Sequence, residues 1–128
     1  MTLQQQRAAL AFDQLGAVRG RPEEDRLHYA GMAQKLPVLI RSAGLCQALH
    51  FVRSRQDRPV LGLLLDHLAA QLRRTDPAIA DGAALCERAR RVDLAHYLWM
   101  TREALACAEW YARLSQSELG VERDAGER

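Results

Sequence analysis

Apolar residues recur at intervals of three and four almost from end to end of this chain, and no segment shows the sustained apolar–polar alternation of a strand. This spacing places apolar side chains on one face of each helix, which a neighbouring helix must then cover. The 128 residues suffice for one domain with its own core. The sequence therefore predicts an all-α fold: a compact single-domain helical bundle of about five to six helices over residues 1–116, followed by a disordered polar tail over residues 117–128.

Capping residues and helix breakers indicate where the helices begin and bend. Thr2 with Gln5 fits a capping box at the start of the first helix. Asp93 is placed to cap the last helix, which is expected to run to about residue 115. Pro37 falls within the second helix, where it removes a backbone hydrogen bond, so we expect a kink there.

Two further local expectations follow from the spacing. Asp57 followed by Pro59 is typical of a cap and first turn, and is expected to open the fourth helix. The buried face of the first helix is expected to consist of Ala8, Ala11, Phe12, Leu15 and Val18.

Several classes of protein are excluded by the cysteines and the hydropathy. Cys46, Cys86 and Cys107 are odd in number and contain no CxxC pair, which argues against a zinc ribbon or a disulfide framework. Each is expected to act as a small buried hydrophobe. No apolar run approaches the roughly 20 residues that span a bilayer, and no secretory leader is visible. We therefore expect a cytoplasmic protein with no membrane partner.

Motifs of catalysis are missing from the sequence. No GxSxG, P-loop, GxGxxG or HExxH occurs. Cys46 and His50 lie four residues apart and make half of a metal site, so a metal-dependent hydrolase built on Cys46, His50 and His67 is one alternative. No second pair of ligands follows at a suitable spacing. We therefore expect no enzyme, no metal, no cofactor and no small-molecule substrate.

Positive charge is concentrated in the middle of the chain. Residues 35–75 contain seven Lys and Arg but only two Asp, a net charge of +5 against +2 for the whole chain. Arg residues clustered beside a helix N-terminus can hold phosphates, although an ordinary solvated surface is the alternative. The candidate nucleic-acid-binding residues are Lys35, Arg41, Arg53, Arg55 and Arg58.

The last helix is apolar on most of its sides. Such a helix is either central in a bundle or covered by a partner. Trp99 and Trp110 line one of these sides, and tryptophan is enriched both in cores and at interfaces. We take Trp99 and Trp110 as candidate protein-interface residues. The residues by themselves thus indicate an all-α binding module.

Two stretches resemble a known family. Residues 36–51, LPVLIRSAGLCQALHF, are similar to the signature of the small helical subunit of the type III-B CRISPR effector, the Cmr complex. The stretch that resembles the family's second motif contains Tyr97, Thr101, Glu103, Ala104, Leu105, Ala106, Trp110 and Arg113. The resemblance covers nearly the whole domain. Family members often carry Asn and Gly where this chain has Ala43 and Cys46, and Lys at positions that here are Arg.

The resemblance implies a specific role. Members of the family are all-helical and non-catalytic, and they stack beside copies of themselves along the backbone subunits that hold the guide RNA. They help to form the channel in which target RNA pairs with the guide, in a complex that also contains a large subunit. Two alternatives stay open: the small subunit of another CRISPR effector type, and a helical adaptor that binds protein only.

Overall fold

The computed structural model describes residues 1–120 and contains six α-helices in that range, with no strand. The helices are α1 (Leu3–Arg19), α2 (Glu23–Ala43), α3 (Leu45–Ser54), α4 (Val60–Arg73), α5 (Gly82–Arg91) and α6 (Leu94–Glu118). The predicted all-α bundle of five to six helices is thereby confirmed.

The two longest helices, α2 and α6, lie antiparallel along the centre of the bundle. Arg26 near the start of α2 donates to the carbonyl of Leu119 at 2.8 Å, and Gln34 further along donates to the carbonyl of Ala112. Helix α1 packs on another side of α6, and α4 contacts α2, α5 and α6. The large side chains buried between these helices are mostly leucines: Leu15, Leu36, Leu45, Leu49, Leu61, Leu64, Leu68, Leu72 and Leu85.

The helix ends follow the predicted chemistry with one exception. The Thr2–Gln5 capping box and the Asp93 cap are both present. Helix α2 ends at Gly44, whose φ of +89° favours glycine and turns the chain directly into α3. The prediction that Asp57 caps α4 is wrong, because the helix begins after Pro59 without a side-chain cap.

Phe12 is a further correction, because its ring is 46% exposed rather than buried. The guanidinium of Arg19 lies over this ring, with its carbon 5.7 Å from the ring centre, and covers part of it. Residue 12 lies about 100° around the helix from Ala11, so it sits at the edge of the buried face rather than at its middle.

The C-terminal boundary also differs from the expectation. Helix α6 continues through Glu118 and Leu119 is fully buried, so the packed domain extends beyond residue 116. The rest of the predicted tail, residues 121–128, lies outside the described residues. Pro37 is buried within α2, which continues through it to Ala43, and the predicted kink there stays a prediction.

Candidate nucleic-acid interface

Lys35 and Arg58 line one cleft between α2 and the turn that joins α3 to α4. The cleft has a volume of about 220 Å³. Leu27 and Met32 provide its apolar wall, and Glu24 lies at the same opening. Two of the five predicted cations, 23 residues apart in sequence, are therefore brought together by the packing of this turn on α2.

Arg55 belongs to the same turn. The N–H of Arg58 donates to the carbonyl of Arg55 at 3.0 Å, which closes the turn. The carboxylate of Asp57 lies 3.8 Å from Arg55 and 3.9 Å from Arg58, so it stands between the two cations instead of capping α4. The Arg55 guanidinium lies over the partly exposed ring of Phe51, at 5.9 Å from its centre. The turn thus presents two guanidinium groups, one of which lies over an aromatic ring.

Arg41 is not part of this surface. It follows Lys35 by six residues on α2, which places the two side chains about 120° apart around the helix. Its guanidinium instead pairs with Glu109 of α6 at 2.5 Å. Of the five candidate cations, Arg41 therefore lies on a different face of α2 from Lys35.

Arg53 also lies elsewhere. Its side chain reaches the Cys86 thiol on α5, where burial raises the pKa of that thiol and the nearby guanidinium partly opposes the rise. The neighbouring His50 contacts Arg90 of α5 at 3.1 Å, so this side of α3 faces α5. The surface that remains, which we call the cationic face, consists of Lys35, Phe51, Arg55 and Arg58.

The cationic face keeps most of its charge available. Within residues 1–120, no carboxylate lies within 4 Å of the Lys35 amino group. The contacts of Arg55 and Arg58 with Asp57 are long, and the Asp57 side chain is 70% exposed. Loose pairs of this kind contribute little and are screened by salt. A phosphate can therefore compete for both guanidinium groups.

The two candidate interface tryptophans are half-buried. Trp99 lies against the ring of His96, with 5.2 Å between ring centres, and Trp110 donates its ring N–H to Gln4 at 3.1 Å. Leu94 and Leu98 are the more exposed apolar side chains of α6, at 71% and 49%. Neither leucine is among the interface residues predicted from the sequence. Their place in the first turns of the last helix could have indicated that they are exposed, because fewer neighbouring helices cover the end of a bundle.

The alternative metal site is not assembled. His67 is buried on α4, and its Nδ1 lies 2.8 Å from the hydroxyl of Tyr29. Burial lowers the pKa of His67 to about 4, so the imidazole is neutral. In the part of the chain that the structure describes, no group of three or more His, Cys, Asp or Glu side chains is arranged to hold a metal ion.

None of the helices in residues 1–120 combines the length and hydropathy needed to cross a lipid bilayer.

Comparisons with known proteins agree with the resemblance. The family described as "CRISPR-associated protein (Cas_Cmr5)" matches residues 3–118. The chain is 47% identical to the CRISPR system Cmr subunit Cmr5 of Thermus thermophilus over 94 residues, which are 73% of this chain and 77% of the relative. The crystal structure of a CRISPR-associated Cmr5 family protein from the same organism superposes with a TM-score of 0.79 at 38% identity, covering 93% of this chain and 99% of that one. The chain belongs to the Cmr5 family of CRISPR-associated proteins.

Proposed function

We propose that this protein is the small, non-catalytic subunit of a cytoplasmic Cmr effector, in which it contacts other Cmr subunits and copies of itself. There it helps to hold target RNA that pairs with the guide RNA. The relative from Thermus thermophilus is named as a Cmr subunit, which supports membership of that complex over the small subunit of another CRISPR effector type.

The observation that carries the RNA-binding part is the cationic face. Lys35 and Arg58 converge on one cleft, and Arg55 lies on the adjoining turn beside Phe51. Arg and Lys without a fixed carboxylate partner contact the phosphates of any sequence, as a channel that must accept every target requires. An exposed aromatic ring beside them adds a stacking surface that is equally tolerant of sequence.

The experiment is capture of target RNA by the assembled complex as a function of salt. The test variant carries Lys35→Glu, Arg55→Glu and Arg58→Glu together. Loss of three phosphate contacts should weaken capture and reduce the slope of log affinity against log salt by about 2. Assembly of the complex, measured by co-purification and mass, should be unchanged.

The matched control reverses three cations outside the cationic face. Arg41, Arg102 and Arg113 lie on α2 and α6 and are exposed. Their simultaneous change to Glu alters net charge by the same amount, so it should leave the salt slope close to that of the native complex. Equal losses in both triple variants would contradict the assignment of RNA to the cationic face.

A helical adaptor that binds protein only is the second candidate, and the exposed Leu94 and Leu98 favour it. It predicts that the test variant captures RNA as the native complex does at every salt concentration. It also predicts that no cross-link forms between this chain and the target strand. Either result, together with normal assembly, would support a role in protein binding only and contradict RNA binding.

A further inference from the structure

The cleft between α2 and the Arg55–Arg58 turn joins two kinds of surface. Met32 is part of the buried core, Leu27 is half-buried, and both present apolar groups to the cleft. Gly31 lies between these walls and adds no side chain to fill the space. Lys35 and Arg58 add positive charge to the lining, which also includes His28 and Glu24. An apolar wall beside two cations suits a ligand that carries both a flat apolar part and an anion.

The size of the cleft limits what can enter it. Its volume of about 220 Å³ is below the roughly 300–1,000 Å³ of pockets that enclose a drug-sized ligand. One base or one ribose is therefore a better match than a dinucleotide or a folded peptide segment.

Glu24 distinguishes between possible anionic ligands. Its carboxylate lines the same cleft and only accepts hydrogen bonds. The carboxylate of an acidic peptide carries no donor and would be repelled by Glu24. A nucleotide carries ribose hydroxyls, and most of the bases carry amino groups, so it offers donors to Glu24 as well as a phosphate to the cations.

We propose that this cleft holds one unstacked nucleotide of a bound RNA strand. The base lies against Leu27 and Met32, and its phosphate lies between Lys35 and Arg58. The inference rests on the proposed RNA-binding function and adds that the protein contacts a base as well as the backbone. Unstacked bases are the part of RNA that proteins commonly hold in pockets of this kind.

The test compares two strands that share a backbone. Hexauridylate and a six-residue abasic ribose-phosphate strand are titrated into the isotope-labelled full chain and followed by NMR, which detects millimolar affinities. Removal of a base that buries one face against apolar side chains should weaken binding about 5-fold or more. Both strands should shift the amide signals of Lys35 and Arg58. Only hexauridylate should also shift those of Leu27 and Met32.

A variant that fills the cleft supplies the second arm. Leu27→Trp places a ring where the base would lie, and it should lower the affinity for hexauridylate towards the value for the abasic strand. The control Val38→Trp adds the same ring at an exposed site that does not line this cleft, and should keep the difference between strands. Because the abasic strand should bind Leu27→Trp and the native chain equally, a folding defect is recognised separately.

The outcomes separate the two proposals. Equal affinity for both strands in the native chain overturns the nucleotide cleft and leaves backbone binding by the cationic face. A Leu27→Trp chain that still prefers hexauridylate also overturns it. Stronger binding of hexaglutamate than of hexauridylate at this cleft would identify a protein partner instead. Failure of hexauridylate to bind at millimolar concentration overturns the cleft, whereas the function proposed above is judged by capture in the assembled complex.

Discussion

Arg7 near the start of α1 and Glu103 in the middle of α6 form a two-point ion pair, in which two guanidinium nitrogens each lie 2.7 Å from a different carboxylate oxygen. Both side chains are only 15% exposed. The hydrogen bonds from Arg7 lower the pKa of Glu103, although partial burial opposes this. This pair joins the first helix to the last across 96 residues of sequence.

Removal of one partner should therefore be costly. Arg7→Ala leaves a poorly hydrated carboxylate on α6, and we expect a loss of about 1–3 kcal/mol in the free energy of unfolding. Urea denaturation followed by circular dichroism measures it. Arg21→Ala is the control, because the pair of Arg21 with Asp25 is exposed and should contribute less than about 0.5 kcal/mol. Similar losses in both variants would show that the α1–α6 pair has no special role.

His67 should make stability depend on pH between about 4 and 6.5. Burial lowers the pKa of His67 from 6.5 to about 4, so in this interval the unfolded chain binds a proton that the folded chain does not. Stability is then full above pH 6.5 and falls by about 1.4 kcal/mol per pH unit as the pH decreases towards 4. Urea unfolding at half-unit intervals of pH measures the slope.

The variant His67→Asn tests whether this residue causes the slope. Asn cannot titrate but retains a polar group near the hydroxyl of Tyr29. The free energy of unfolding should therefore depend less steeply on pH between about 5 and 6.5, by the contribution of one titrating group. The other histidines are unchanged and serve as an internal reference. An unaltered slope in His67→Asn would contradict the assignment.

Replacement of Gly82 or Gly62 by alanine should change the stability of the fold in opposite directions. A Cβ at Gly82, the first residue of α5, would lie 2.7 Å from the Cβ of Leu65, so the two helices must separate. We expect Gly82→Ala to destabilise by about 1–3 kcal/mol. Gly62 lies in α4 with no atom within 4 Å of such a Cβ, and Gly62→Ala should stabilise by about 0.5–1 kcal/mol. Thermal unfolding compares the stabilities of the two variants. A Gly82→Ala variant as stable as the native chain would contradict the close approach of Gly82 to Leu65.

The exposed leucines at the start of α6 should serve assembly rather than folding. Leu94→Lys with Leu98→Lys changes side chains that the chain itself covers poorly, so stability should change by less than about 0.5 kcal/mol. Co-purification with the other Cmr subunits should nevertheless decrease. Leu3→Lys, at a similarly exposed position on α1, is the control. Normal assembly of the double variant would remove these leucines from the interface.

Helix positions could be predicted from the sequence because their causes are local. The Thr2 capping box, the break at Gly44 and the Asp93 cap each depend on a few neighbouring residues, and each is present in the structure. The family could likewise be recognised from short motifs. Phe12 could not be placed correctly, because its exposure depends on the angle at which α1 meets the bundle.

The composition of the candidate site was decided by tertiary structure alone. The sequence by itself determined that cations concentrate between residues 35 and 75, since charge is counted without coordinates. Which of them share a surface depends on how helices rotate and pack. The α3–α4 turn lies against α2 and brings Arg58 to Lys35, whereas Arg41 faces Glu109 on α6 and Arg53 faces α5. Contacts between residues far apart in sequence set the rotation of each helix about its axis, so this rotation cannot be predicted from a local sequence pattern.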